Sequence, residues 1–280
     1  MSRYAILQTS LEVPEAEAVR RAFKRIPFLT AADASIVLRD AFGVLFRNLS
    51  NEDANSVLGA LASEGIVVEA VEHSHLPELP ATKFVKRIEL RPTELVIYDP
   101  LGRKFGLDWG HVALVSAGLV PMEEEKMTAP SFGYSDPLKS VGFDPLDDTG
   151  FYEGTFGIGG SGSFRNTGSG FSSRKLVTVE KRLIDLILTR GVARYTLEAD
   201  ETLLSQALGR PCGRELPNAF LELIQKFCGH CPGAWLNRGA IAARDQGALM
   251  AFPSRNAFHE ETQWHLWQMQ RQTGGLSSPG

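Results

Sequence analysis

Between Met122 and Ser173 the chain loses every hydrophobic period. An acidic run, EEE, is followed by APSFGYSDPLKS and then by FYEGTFGIGGSGSFRNTGSGFSS. About fifty residues without a strand or helix period do not fit inside a compact domain. Residues 122–174 are therefore read as a Gly/Ser/Pro-rich flexible linker with a folded part on either side. The whole chain has 280 residues, 43% of them hydrophobic and 22% charged, which is material for two ordinary domains with buried cores. Inside the linker GIGGSG (Gly157 to Gly162) is followed by Ser163-Phe164-Arg165-Asn166. A phosphate loop needs Gly-Lys-Ser/Thr or a strand and helix flanking the glycines, so the phosphate reading fails on context. Phe132, Tyr134, Phe143, Phe151, Tyr152, Phe156, Phe164 and Phe171 punctuate the segment. Such aromatics serve as weak contact points for a partner, or tack the segment to the protein's own surface.

The formal charge of −4 and a pI near 5.9 give no overall positive field for nucleic acid or an anionic membrane. The first residues, MSRYAILQTSLEVPEAEAVRR, contain no apolar signal-peptide core, and no stretch reads as a membrane span. A cytoplasmic protein is expected. Three cysteines, Cys212, Cys228 and Cys231, are too few for a secreted disulfide framework and are expected to be reduced.

Ahead of the linker, Tyr4 to Leu7 reads as a strand, and Pro14 opens a helix with Ala16, Val19, Phe23 and Ile26 on one face. A second helix spans Ala31 to Asp40. Then GVLFR, a Ser50-Asn51-Glu52-Asp53 start signal, a helix with Ala54, Val57, Leu58 and Leu61 on one face, Gly65 and the strand IVVEAV make a compact βαβ unit. The order β-α-(α)-β-α-β suits a small sheet covered by helices, a ferredoxin-like module over residues 1–76. The phrase LSNEDANSVLGALASEGIVVEAV resembles prokaryotic signal-transducing modules and sporulation-related repeats, a likeness that covers about thirty residues and carries no catalytic motif. His73 and His75, in a proline-punctuated connector, lack neighbouring ligands at metal-site spacing.

Residues 77–121 read as a β-meander: FVKRIEL, a turn at Arg91-Pro92-Thr93, ELVIYD, a turn at Pro100-Leu101-Gly102, KFGLDW and HVALVSAGLV. Asp99, Gly102, Arg103, Trp109 and Val112 resemble the strand-turn-strand pattern of bacterial pleckstrin-homology-like modules over residues 84–118. The resemblance implies either a partial barrel or a β-extension of the first module. Trp109 is expected to be a core anchor.

Beyond the linker, residues 175–272 read as a second small α+β domain. It contains a hairpin over Lys175 to Asp200, a helix over Glu201 to Leu208 stopped by Gly209, a helix opened by Pro217, and a Trp-rich closing helix from Ser254 to about Arg271; residues 273–280 are a tail. The string KFCGHCP ends the Pro217 helix and contains Cys-Gly-His-Cys, the active-site string of protein disulfide isomerases. In such enzymes the pair opens a helix, whose positive dipole end favours thiolate. Here it closes one, where the dipole has the opposite sign. Cys228 and Cys231 are thus alternative catalytic residues of a thiol-disulfide oxidoreductase or redox sensor, set in the wrong place for it. With Cys212 and a histidine they are the alternative ligands of a structural zinc.

In the last helix HEETQ (His259 to Gln263) has glutamine where a zinc protease needs its second histidine, and the adjacent Glu260 and Glu261 point in different directions. Phe258, Leu266 and Met269 form one apolar stripe and Trp264 and Trp267 a second, which indicates burial between layers or a contact surface. No catalytic triad, carboxylate pair or cofactor fingerprint stands out, and no cofactor is expected. The chain reads as a cytoplasmic, non-enzymatic interaction or scaffold protein. Its partner is another protein or a second copy, with no nucleic acid and no membrane, and Trp264 and Trp267 are the candidate contact residues.

Overall fold

The computed structural model describes residues 2–12, 14–40, 43–99, 101–127 and 174–272. The protein is α+β. β1 (Tyr4–Gln8), α1 (Ala16–Phe23), α2 (Ala31–Asp40), β2 (Val44–Leu49), α3 (Asn51–Ala62) and β3 (Val68–Glu72) follow the expected order. β1 lies between β2 and β3 and runs antiparallel to both, so β2-α3-β3 is a split βαβ unit with β1 as its inner strand. Ser50 caps α3 by accepting a hydrogen bond from the Asp53 amide, as its spacing foretold. Ile6 packs with Val19, Phe23, Val57 and Leu61 beneath α1 and α3, whereas Ala5 and Leu7 face the opposite way. A strand buried on both faces needs a second cover.

That cover comes from the other end of the chain. β4 (Thr82–Val85), β8 (Val112–Met127), β9 (Arg174–Leu188), β10 (Arg194–Glu198) and β11 (Trp235–Leu236) form one sheet in the order β11-β8-β9-β10-β4. One face carries α4 (Glu201–Leu208) and α5 (Leu216–His230), with Val115, Ala117, Ile184, Leu186 and Leu197 packed on Leu203, Phe220, Leu223 and Phe227. The other face carries α7 (Arg255–Gln272): Leu114 and Ile187 meet Leu266, and Val120 and Leu183 meet Ala257 and Phe258. The far side of α7 places Trp264 and Trp267 against Ala5, Leu7, Val44 and Val71. The layers are helices, five-stranded sheet, α7, three-stranded sheet, helices.

Two expectations change. Residues 122–127, read as linker, continue β8 and Arg174 opens β9; the two strands are neighbours in one sheet, and the boundaries set at 77–121 and 175–272 fall inside it. The compact units are Met1–Met122 with Thr178–Gly280, and Glu123–Val177. Sequence periodicity reports a break in packing and is blind to which strands pair across it. FVKRIEL is also two strands: β4 pairs parallel with β10, while β5 (Ile88–Leu90) pairs with β6 (Glu94–Tyr98), which pairs with β7 (Lys104–Asp108), in a separate antiparallel sheet. The meander expected over 77–121 is therefore these three strands alone. The aromatic run from Phe132 to Phe171, GIGGSG and the tail 273–280 lie outside the described residues.

Candidate functional site

The CGHC string sits where the sequence put it, in the last turn of α5, with Cys231 as the C-cap. All three thiols are free and buried. Burial pushes the Cys228 thiol up, against the pull of Arg244, and pushes Cys231 up to about 12, with the neighbouring Cys228 adding to it. The Cys228 Sγ faces the Ala240 carbonyl at 4.0 Å, a structural contact inside the core. Cys212 packs in the same core, with its Sγ 3.6 Å from the Arg210 carbonyl. Among the described residues no three His, Cys, Asp or Glu side chains form a metal-ligating group, so Cys212, Cys228 and Cys231 do not assemble as zinc ligands with a histidine. His230 stacks flat on Trp109, with centroids 4.6 Å apart at 4°. Trp109 also meets Phe227 edge-on and donates its indole N–H to the Arg91 carbonyl at 2.9 Å, which makes it the core anchor expected. The turn after His230 lines a cleft of about 390 Å3 with Trp109, Thr189, Trp235 and Met269.

The closing helix is committed to the interior. Glu260 pairs with Arg47 of β2, while Glu261 accepts from the Arg238 backbone N–H at 2.7 Å and from its Nε at 2.9 Å, at the start of α6 (Arg238–Ile241). Thr262 donates to Ser116, Gln263 donates to the Pro77 carbonyl, and Trp264 donates its indole N–H to the Gln8 carbonyl. Trp264 and Trp267, read as buried between layers or as a contact surface, are 7% and 2% exposed. Their contacts are made within the chain, because β1 needs its second face covered. His265 is buried between the Trp235 and Trp264 rings, with neither ring nitrogen hydrogen-bonded among the described residues and Nε2 3.9 Å from a Glu261 carboxylate oxygen. Burial, and then the charge of Arg238, lower its pKa to about 4. A second buried cluster joins Asp185 to Arg194 at 2.6 Å and Arg194 to His259 at 2.8 Å. Asp185, Arg194 and Glu261 are engaged by partners inside the protein, whereas His265 is not hydrogen-bonded among the described residues.

Two of the exposed large apolar side chains, Phe84 and Phe105, line one groove elsewhere. Lys83, Phe84 and Val85 of β4, Ile97 and Tyr98 of β6, Asp99, Phe105 of β7 and Tyr195 of β10 line a groove of about 670 Å3. Val85 and Ile97 form its buried floor, while Phe84 and Phe105 are 57% and 40% exposed. Phe105 meets Tyr195 at 5.9 Å, and the Lys83 ammonium lies 5.5 Å from the same tyrosine ring. The Arg87 guanidinium lies 4.2 Å from the Tyr98 ring, whose hydroxyl donates to Glu89. β4 and β7 are each the last strand of their sheet, so each has a row of backbone groups without a strand partner among the described residues. Sequence reasoning missed this groove. Its one early signal was the apolar Phe84 beside Lys83, at a position that a single continuous strand would have buried.

Comparison of the chain with protein families, with curated proteins and with solved structures finds no match. Among the described residues no helix is long and apolar enough to cross a membrane.

Proposed function

We propose that this chain is a non-enzymatic protein–protein interaction protein and that the aromatic groove between β4 and β7 is its contact surface. One observation carries the reading: exposed Phe105 lies with Tyr98 and Tyr195 in a groove beside two outer strands, and Phe84, also exposed, stands at its β4 edge. Clustered exposed aromatics cost solubility and favour self-association, and contiguous patches of this kind mark interaction sites. Tyrosine and phenylalanine supply large contact area at low side-chain entropy cost.

The thiol-exchange alternative at Cys228 and Cys231 has the electrostatics against it. A nucleophilic thiol needs a depressed pKa and access, and both groups are buried with their pKa raised. The test is quantitative co-purification of wild type, Phe84→Ala/Phe105→Ala and Val67→Ala, the last at an exposed residue of the N-terminal module. A discrete set of proteins retained by wild type and Val67→Ala and lost by the double variant is the expected result. An identical set for all three overturns the reading.

A further inference from the structure

The groove also carries a charge pattern that narrows its occupant. Each carboxylate around it is already engaged. Asp99 holds Arg103 at 2.6 Å and accepts from the Leu101 and Arg103 amides; Glu89 takes the Tyr98 hydroxyl and Arg91; Glu94 takes Arg91; and Asp108 accepts from the Gly110 amide. The lysines are in the opposite state. Lys83 lines the groove, Lys104 is the cross-strand partner of the groove residue Tyr98, and Lys86 follows directly on β4. None of the three has a carboxylate within ion-pair distance among the described residues, and all are exposed. Arg87, Arg91 and Arg103 already pair with the carboxylates, so the three lysines leave the rim net positive beside the aromatic side chains.

The shape adds a second constraint. β4 is a four-residue edge strand held on one side by β10, with Lys83 and Val85 alternating with Thr82 and Phe84 across its two faces. An added strand would hydrogen-bond to the open side of β4, with its side chains on the Lys83 and Val85 face lying beside Tyr98 and Phe105 and the alternate ones beside Phe84. A helix would leave that edge unsatisfied.

Resting on the reading of the groove as a contact surface, we infer that its occupant is an extended acidic segment of another protein, with aromatic or leucine side chains at alternate positions, added as a strand to β4. Lys83, Lys86 and Lys104 take its carboxylates. These rim charges act on association rate and partner choice, and their effect is screened by salt.

The experiment is selection of a displayed library of random twelve-residue peptides on the full chain. Recovered peptides are then measured against wild type, Phe84→Ala/Phe105→Ala and Lys83→Glu/Lys104→Glu, with circular dichroism of each variant to confirm the fold. The expected peptides are acidic with apolar residues two apart. They bind roughly ten-fold or more weakly to each double variant, and wild-type binding weakens as salt is raised. Peptides that need Phe84 and Phe105 but are neutral, basic, proline-spaced or helical overturn the inference and leave the contact surface standing. Peptides indifferent to Phe84 and Phe105, or no enrichment at all, overturn both. A groove already filled from within the same chain, seen as a crosslink from position 84 to another segment of the same molecule, also overturns the inference.

Discussion

The indole N–H of Trp264 donates to the carbonyl of Gln8 at 2.6 Å, joining the last helix to the first strand across 256 positions of sequence. Gly43 makes this joint possible. Its backbone N–H donates to the Gln8 side chain, its φ is +83°, and a Cβ there would stand 2.5 Å from the Trp264 Cβ. Gly43→Ala therefore meets both a strained backbone and a neighbour fixed on a packed helix. It is expected to destabilise the chain by about 2–4 kcal/mol in denaturant unfolding, whereas Gly59→Ala, with open space around its Cβ, is neutral or stabilising.

His265 gives a pH signature. Its folded pKa of about 4 lies below the ordinary value of 6.5 because burial disfavours the imidazolium. Between pH 6.5 and 4 the unfolded chain takes up a proton that the folded chain refuses. Its contribution is full above pH 6.5 and falls as pH drops toward 4, by up to about 1.4 kcal/mol per pH unit. His259, also lowered to about 4 by burial and then by Arg194 and Arg255, acts in the same direction. Because both His265 nitrogens are buried without a hydrogen bond among the described residues, His265→Leu is expected to raise stability at pH 7 by about 1 kcal/mol and to flatten the acid slope. Unfolding curves from pH 7.5 to 4.5 read both effects.

Asp185 and Arg194 are 0% and 5% exposed at the side chain. Removing one member leaves a buried charge alone. Arg194→Met is expected to cost about 3–5 kcal/mol, while Asp185→Leu/Arg194→Met together cost clearly less than the sum of the singles. A double-mutant cycle by chemical denaturation measures the coupling, and additivity would contradict the pairing.

Cys228 and Cys231 are expected to react slowly with a disulfide reagent at pH 7 in the folded chain and at ordinary rates once unfolded, since both pKa values are raised by burial. A thiol reacting fast below pH 7 would contradict this.

Much of the fold was legible because it is written in local patterns. The Ser50 cap, the Gly209 stop with φ +69°, the Pro217 opening of α5 and the CGHC position at its end need no knowledge of the rest of the chain. What was not legible was set by pairing at long range. The parallel partnership of β4 with β10 sends Phe84 to the surface and splits FVKRIEL, and no periodicity encodes it. The short β11 and α6 were missed because they rest on one residue. Buried Asn237 accepts from the Ala117 and Ala240 amides and donates to the Ala117 carbonyl, while Gly239 lets α6 approach so closely that a Cβ would lie 1.9 Å from that carbonyl oxygen. α7 carries Trp264 and Trp267 on one side and Leu266 on another because it is a middle layer, and its polar residues serve neighbours on each side. The groove left no trace in the sequence beyond Phe84 beside Lys83, since it forms where β4, β6, β7 and β10 converge.

The most direct test of the groove as the contact surface places one photo-crosslinking side chain at Phe84 and, in a separate protein, at the exposed Gly229 of the CGHC turn, where a side chain meets open space. Illumination in cells is expected to give a discrete adduct to another protein from position 84 and none from position 229. An adduct from position 229 with none from position 84 would contradict the account and return attention to the cysteine turn.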